Sequence, residues 1–357
     1  MANDNFYDVR NHVLVWNGPE TAFRTNAQGK DTANVIGDTF FRLPGRLLRI
    51  PYTYIKRNKV YRRVANTKFW GYIAHEGYQE GKMTLTMDMI DLSMMYYLCK
   101  ACTTADGEAP VYVHSYVTTT AQTSPPPSFQ MVYKIVNYES GNNINALFVG
   151  CVLSGVAISI PREGPVQLTL DIKFARVIAS NSPVALTAYP DWGVLQEYHI
   201  DRTEWSIKKN GTAYPGEILS ADIVYNDGTV LHKAANSEYA TEAINGNPDI
   251  QVRLTFAPKD ETFAADTMTA PLAPATASHI DIVIKMYRGT AGDDYTEFNF
   301  EKMWCIDSAD GTWDFEIETA ILMQHQTTFI IKPASFETGA QLTITERNAL
   351  DDDRYET

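Results

Sequence analysis

The feature that most constrains this chain of 357 residues is a regular alternation of apolar and polar side chains. Residues 83–89 carry Met or Leu at every second position, and the same period recurs at 166–172, 280–286 and 313–317. A period of two buries one face of a strand and leaves the other in water, as in antiparallel sheets. The sequence therefore predicts a mainly β fold, an antiparallel β-sandwich or barrel.

One segment departs from this alternation. Asp91 is a predicted N-cap, and apolar residues then recur at helical spacing and fill nearly every side, which predicts a flanking helix over 91–102. Such a helix needs cover on more than one face. We expect part of that cover to come from another subunit, with Met95 and Tyr96 at the interface. A weaker helical pattern lies at 237–244.

Turn signals divide the chain. Asn210-Gly211 predicts a hairpin, and Asp227-Gly228 predicts a second turn. A segment with Pro183 and Pro190 favours a boundary between two domains, at 1–185 and 195–350, followed by an acidic tail at 351–357. Residues 150–154 resemble 216–220, and 166–170 resemble 250–254, which makes the second domain a candidate repeat of the first.

Motifs that carry chemistry are incomplete. His75-Glu76 begins a zinc-protease pattern, but Gln79 stands where the second histidine belongs. Cys99 and Cys102 form a lone C-x-x-C at the end of the predicted helix, which favours helix packing over metal or redox chemistry. The sequence therefore predicts a protein that is not an enzyme, with no catalytic residue, no metal ligand and no cofactor.

The net charge of −13 argues against a surface that binds nucleic acid or anionic lipid throughout. The start of the chain lacks the basic and apolar regions of a signal peptide. The longest uncharged apolar stretch, 146–160, is shorter than the roughly 20 residues of a spanning helix and alternates like a strand. Four cysteines suit a reducing cytoplasm. We expect a soluble protein with no membrane partner.

The positive charge is concentrated in one segment. Residues 39–75 contain no Asp or Glu, and their cations are interleaved with aromatic residues. This pattern fits single-stranded nucleic-acid binding, a solvated hairpin, or docking onto an acidic partner surface. Because the rest of the chain is acidic, we favour an arm that docks onto another copy. The candidate interface residues are Arg42, Arg46, Arg49, Lys56, Arg57, Lys59, Arg62 and Arg63, with Met95 and Tyr96 of the helix.

Three segments together resemble the tail tube proteins of long-tailed (siphovirus- or myovirus-like) prokaryotic viruses. They are residues 16–25, the run from 77 through the 83–89 strand into the Asp91 helix, and residues 148–155 with the strand 166–174. The resemblance covers most of residues 1–180 and, more loosely, 200–345. It implies β-sandwich domains with a flanking helix, assembled as rings that stack into a hollow tube.

The implied function is that of a structural virion protein, made in the host cytoplasm, whose tube conducts DNA into the host. Implied partners are further copies in trimeric pseudo-hexameric or hexameric rings, the tape-measure, baseplate and tail-terminator proteins, and double-stranded DNA in transit without sequence-specific binding. The alternative is a β-sandwich binding module or another virion protein, such as an adhesin or a capsid jelly roll.

A lumen for DNA favours an acidic lining, because double-stranded DNA carries about one negative charge per 1.7 Å of axis and would bind to a basic lining. Two predicted strands present carboxylates opposite their apolar side chains. The candidate lumen-lining residues are Glu297, Glu301, Asp314, Glu316 and Glu318. For each of these residues, the alternative is a position on an ordinary solvent-exposed sheet face.

Overall fold

The structure is a computed structural model. It describes residues 11–16, 20, 23–24, 40–43, 47–49, 52–54, 58–63, 70–75, 81–99, 102–105, 112–117, 126–136, 143–180, 197–209, 211–214, 216–235, 237, 239–258, 280–288, 294–307, 313–316, 322–331 and 342–348. Within these ranges the chain is mostly antiparallel strand with very little helix, which confirms the predicted fold class. The predicted domain boundary at 185–195 and the acidic tail lie outside them.

Strands of the first half precede and follow the short helix α1 (Met95–Cys99). They are β1 (Asn11–Trp16), β2 (Phe40–Arg42), β3 (Leu47–Arg49), β4 (Tyr52–Tyr54), β5 (Asn58–Arg63), β6 (Trp70–His75), β7 (Gly81–Asp88), β8 (Cys102–Ala105), β9 (Tyr112–Val117), β10 (Phe129–Val136), β11 (Asn143–Ile160), β12 (Gln167–Phe174) and β13 (Arg176–Ser180).

The second half begins with a 3-10 turn, Ile200–Arg202, and continues as strands. They are β14 (Thr203–Lys209), β15 (Thr212–Ala213), β16 (Gly216–Asn226), β17 (Val230–His232), β18 (Glu242–Ile244), β19 (Asp249–Pro258), β20 (Ile280–Tyr287), β21 (Tyr295–Asp307), β22 (Trp313–Glu316), β23 (Leu322–Ile331) and β24 (Leu342–Asn348).

The long strand β11 belongs to two sheets. Its first half pairs with β10 and β13, in the order β2–β1–β10–β11–β13. Its second half pairs with β12 and β16, in the order β7–β12–β11–β16–β19–β23–β21. Beyond β23, β21 also pairs with β20 and β24, which pair in turn with β14 and β9. All these pairs are antiparallel.

Alternation along the strands builds a large buried core, in a sandwich-like arrangement. β7 and β12 alternate buried and more exposed residues along most or all of their length, as the sequence pattern predicts, and β24 alternates in the same way. Side chains from β7, β12, β11, β16 and β19 join those from β20, β21 and β24 in a single cluster. Strands from both sides of the predicted boundary therefore share one core.

The segments of the candidate repeat form equivalent strand pairs. β11 pairs with β12, β16 pairs with β19, and β11 and β16 lie next to each other. The order β12–β11–β16–β19 places the two pairs side by side in the second sheet. The duplication itself stays a prediction.

The predicted helix over 91–102 is too long. The Asp91 carboxylate accepts a hydrogen bond from the Ser93 backbone N–H at 3.1 Å, as expected of a residue that starts a helical turn. Among the described residues, regular α-helix runs over Met95–Cys99, and Cys102 already begins β8 and pairs with β9. The sheet pairing removes the last turn of the predicted helix.

The second predicted helical stretch, at 237–244, is wrong. Glu242–Ile244 is strand β18, which pairs with β17 to form a separate two-stranded ribbon. Ala240 and Ala243 are buried there, so their spacing reflects packing under the ribbon rather than a helix. The predicted hairpin at Asn210-Gly211 is confirmed by the pairing of β14 with β15, with Gly211 at a φ of 82°.

Candidate functional site

The predicted basic arm, 39–75, contributes strands β2 to β6. By backbone position, Arg42 lies in β2, Arg49 lies in β3, and Lys59, Arg62 and Arg63 lie in β5. Arg46, Lys56 and Arg57 fall outside the described residues. The cations therefore lie on several strands with different partners.

Pairing divides the arm into two parts. β2 pairs with β1, and β3 and β4 pair with β7, so the first part is incorporated into the main sheets. β5 and β6 pair with each other in a two-stranded sheet of their own. Among the described strands, this basic hairpin (β5 and β6) has no hydrogen-bonded neighbour beyond itself. Arg62 and Arg63 lie opposite Gly71 and Trp70 in it.

The helix candidates differ in exposure. Met95 is only 2% exposed and joins the core together with Leu92 and Leu98, so its own chain covers it. Tyr96 is half-buried and packs against the core edge-on to Tyr97, with ring centroids 5.3 Å apart. Of the two, Tyr96 is the one with surface left for a neighbouring subunit.

The carboxylate candidates lie on two strands. Glu297 and Glu301 alternate along β21 with Phe298 and Phe300, which are buried in the core. The two carboxylates therefore lie on the face of the sheet that points away from the core. By backbone position Asp314 and Glu316 lie in β22, and Glu318 falls outside the described residues.

Cations lie among these carboxylates. Lys285, opposite Glu297 on β20, places its Nζ 3.7 Å from a Glu297 carboxylate oxygen and 3.8 Å from the centroid of the Tyr295 ring. On the next strand, Glu204 accepts a 2.9 Å hydrogen bond from the Tyr287 hydroxyl. This face of the sheet is therefore paired in charge rather than purely acidic, with its lysine held over an aromatic ring.

A buried ion pair that the sequence reasoning missed lies at the end of β20. Arg288 and Glu346 are 3% and 0% exposed, and the guanidinium donates a 2.9 Å hydrogen bond to the Glu346 carboxylate. The other Glu346 oxygen accepts a hydrogen bond from the Leu92 backbone N–H at 3.2 Å. The pair therefore ties β24 and the end of β20 to the turn that precedes α1.

The surroundings of Arg288 stabilise its charge. Its guanidinium lies over the Tyr198 ring, 4.6 Å from the centroid, and its Nε lies 3.0 Å from Asp294 Oδ1. The Asp294 contact is an ion pair without an aligned hydrogen bond. Burial opposes the charge of this guanidinium, but Tyr198 and the two carboxylates outweigh burial and raise the pKa of Arg288.

The apolar alternation of β20 and β24 could have identified this ion pair from the sequence. The inward positions of β20 are Ile282, Ile284 and Met286, and two residues further on comes Arg288. Glu346 follows the inward positions 342 and 344 of β24 in the same way. A charged residue in step with an apolar stripe on two strands indicates a buried ion pair, because an isolated buried charge is strongly unfavourable.

A second buried carboxyl belongs to Glu20, within the segment 16–25 that resembles tail tube proteins. It is 8% exposed and accepts hydrogen bonds from the Ser128 hydroxyl at 2.5 Å, the Arg24 backbone N–H at 2.8 Å and the Gly150 backbone N–H at 3.1 Å. Burial raises the pKa of Glu20 to about 7, while these hydrogen bonds lower it. No cation of the described residues forms an ion pair with it.

A cleft of about 380 Å³ is lined by Glu197, His199, Asp201 and Arg202. Within the described ranges, no three His, Cys, Asp or Glu side chains are grouped so that they could hold a metal ion. In those same ranges no helix is long and apolar enough to cross a membrane.

Comparison of the chain with protein-family models and with curated proteins gives no match.

Proposed function

We propose that this chain is a structural virion protein that self-assembles into stacked rings, the tube through which viral DNA passes into the host. Besides the resemblance of residues 16–25, of the run from 77 into the Asp91 helix, and of 148–155 with the strand 166–174, the support is a mainly antiparallel, sandwich-like fold. The observation that carries the proposal is the basic hairpin, which pairs only with itself among the described strands.

An isolated two-stranded hairpin is marginally stable in water. The basic hairpin therefore needs a surface to pack against, and its sequence carries cations and no carboxylate. A second copy of this acidic chain offers the complementary charge. Contacts of this kind, repeated around a ring, add up by multivalency even though each exposed pair contributes only about 0–1 kcal/mol.

In the proposed assembly the chain forms trimeric pseudo-hexameric or hexameric rings, and the hairpin docks onto the neighbouring ring or subunit. Half-buried Tyr96 lies at the subunit interface. The tape-measure, baseplate and tail-terminator proteins are the further partners, and the location is the virion tail.

The outer face of β20 and β21 is the proposed lining of the lumen. Its carboxylates, Glu297 and Glu301, repel the DNA phosphates, and Lys285 is engaged by Glu297 and Tyr295. Double-stranded DNA binds tightly where free lysines and arginines neutralise several phosphates. A face whose lysine is already paired lets the DNA slide.

The test is assembly of the full chain, followed by mass photometry and negative-stain electron microscopy. We expect rings or tubes at 0.1 M salt and weaker stacking at 1 M, because the Debye length falls from about 10 Å to about 3 Å. Arg62→Glu with Arg63→Glu should abolish stacking and leave the circular dichroism spectrum of the folded subunit unchanged.

The matched control reverses two cations elsewhere. Arg162 and Arg202 are exposed residues outside the basic hairpin and outside strands β20 and β21, so Arg162→Glu with Arg202→Glu changes the net charge equally. The control should still stack. A wild-type chain that stays monomeric across concentration and salt would refute the assembly, and normal tubes from the hairpin variant would refute the role of the hairpin.

A further inference from the structure

The strands β17 and β18 form a ribbon that continues the hairpin of β16 and β19. Between the two strand pairs, Gly228 has a φ of 66°, and a Cβ on Gly246 would overlap the Gly228 carbonyl group. The two chain segments therefore cross here with backbone against backbone, a contact that only glycine allows. The crossing interrupts the ladder, and the ribbon beyond it is a separate two-stranded sheet.

The inner face of the ribbon is fixed to its own chain. Leu231 and Ala243 are buried in a small cluster with Val152 of β11. The Lys173 ammonium donates a 2.6 Å hydrogen bond to the carbonyl oxygen of Thr229, next to the crossing. The ribbon is therefore held in place, and its other face is exposed to solvent.

That other face carries an aliphatic pair. Val230 lies opposite Ile244, and these side chains are 55% and 46% exposed. Beside them His232 Nδ1 lies 2.9 Å from a Glu242 carboxylate oxygen, and these four side chains form the outer ribbon face. In the described part of the chain, the one other large hydrophobic side chain with comparable exposure is Val224 of β16, on the same hairpin. Such grouping on one element, rather than scatter, is typical of an interaction surface.

The outer ribbon face lies in an acidic part of the chain. The described residues of 222–249 carry four carboxylates and one lysine. Glu242 and Asp249, on either side of the crossing, are exposed, and 59% of the Glu242 side chain is open to solvent. The next cation along β19, Arg253, lies opposite Asp222 of β16 and so away from the ribbon. The exposed charge beside the aliphatic pair is therefore negative.

The basic hairpin has the complementary composition. Its two strands carry three cations and no carboxylate. Its register places Val60 opposite Ile73 and Tyr61 opposite Tyr72, so apolar residues accompany the cations. Opposite charges on two surfaces favour docking in one orientation, and burial of apolar side chains contributes the hydrophobic part of the affinity.

We propose that the outer ribbon face is the surface onto which the basic hairpin of a second copy docks. The inference rests on the proposed assembly and names the acceptor that this assembly requires. Donor and acceptor are different surfaces, so the contact is head-to-tail and continues from copy to copy instead of closing a dimer.

The test reverses the charge of each side and then of both. Glu242→Lys with Asp249→Lys, the acceptor variant, should raise the protein concentration at which rings stack by about tenfold, because attractive pairs become repulsive. Arg62→Glu with Arg63→Glu should weaken stacking as well. The chain with all four substitutions should stack again, since the charges are exchanged rather than lost. Mass photometry and negative-stain electron microscopy measure the stacking.

The matched control is Glu163→Lys with Glu197→Lys. These carboxylates are exposed and lie near Pro165, at the end of β11 opposite to the ribbon, so the control should stack normally. Normal stacking of the acceptor variant, an equal loss in the control, or no recovery in the fourfold variant would overturn the acceptor surface and leave the assembly standing. A wild-type chain that never stacks would refute the assembly itself.

The aliphatic pair is tested separately. Val230→Ser with Ile244→Ser should weaken stacking equally at 0.1 M and 1 M salt, because salt does not screen an apolar contact, and unchanged stacking would refute the role of the pair.

Cross-linking identifies the two copies directly. Carbodiimide treatment of tubes assembled from an equal mixture of nitrogen-14 and nitrogen-15 chains should join Lys59 to Glu242 or Asp249 in peptides of mixed isotope. If mass spectrometry finds this cross-link only in peptides of a single isotope, the hairpin folds back on its own copy and the contact between copies is refuted.

Discussion

Glu20 and Glu346 are both buried glutamates, yet the chain holds them in different ways. Glu346 is fully buried and has an arginine partner, with the Arg288 guanidinium 2.9 Å from its carboxylate. Glu20 is nearly as buried and accepts hydrogen bonds from neutral groups, the Ser128 hydroxyl, the Gln130 side chain and two backbone N–H groups. The comparison separates two roles of a buried carboxylate, a permanently charged link between strands and a group whose charge depends on pH.

The ion pair of Glu346 joins elements that are far apart in the sequence. Arg288 follows β20, Glu346 lies in β24, and the Leu92 N–H that donates to Glu346 precedes α1. Burial raises the pKa of the nearby Asp294, while Arg288 lowers it. The site is thus a single charge network, and removing one member leaves the others buried without compensation.

The largest expected effect comes from breaking this network. Arg288→Met should lower the free energy of unfolding by about 3–5 kcal/mol, because it leaves the buried Glu346 without its cation. Urea denaturation followed by circular dichroism measures the change. A loss below about 1 kcal/mol would contradict the view that Glu346 is held by charge.

The matched control is the double variant Arg288→Met with Glu346→Met. Replacing both members of a buried pair with apolar residues is often neutral or stabilising, so the double variant should recover much of the lost stability. If it is as unstable as the single variant, shape rather than charge holds the site together.

A smaller effect is expected at Glu20. Ser128→Ala removes one neutral donor and should lower the free energy of unfolding by about 1–3 kcal/mol, since a buried acceptor loses a partner. The same change should raise the pKa of Glu20 further, because the Ser128 hydrogen bond lowers it. Denaturation and titration of the Glu20 carboxyl test the two parts, and an unchanged or lower pKa would contradict the role of Ser128.

The smallest effect serves as a reference on the surface. Lys82 and Asp171 form an ion pair at 3.3 Å with side chains that are 57% and 38% exposed. Because water screens such a pair, Lys82→Ala should change the free energy of unfolding by only about 0–1 kcal/mol. The same urea titration measures it, and a loss as large as that of Arg288→Met would remove the distinction between buried and exposed pairs.

Much of the fold was predictable because the alternation marks which face of a strand is buried. It predicted β7, β12 and β20 at nearly their observed positions. It did not predict which strands pair, such as β9 with β24, since pairing depends on contacts between distant segments. It also overextended the helix, because the pairing of β8 with β9 competes with helix formation after Cys99.

The candidate sites were less predictable than the fold. The charge pattern located the basic hairpin, but the sequence could not separate β5 and β6 from β3 and β4, which pair with β7. Arg288 and Glu346 were missed because each follows an apolar stripe at its end, where a charged residue usually marks the start of a loop. No sequence pattern marked Glu20 as buried, because it lies outside the strands and helices, whose periodicity indicates which side chains are buried.

The pairing of β9 with β24 also has a consequence for the newly made chain. β9 ends at Val117, whereas its partner strand begins at Leu342, close to the end of the sequence. Ribosomes add roughly 5–20 residues per second, so β9 emerges tens of seconds before the strand that will cover its edge. During that interval the nascent chain exposes an unpaired strand edge, which is a site for aggregation. A chaperone that covers this edge until β24 has been made favours a single folded subunit over aggregation.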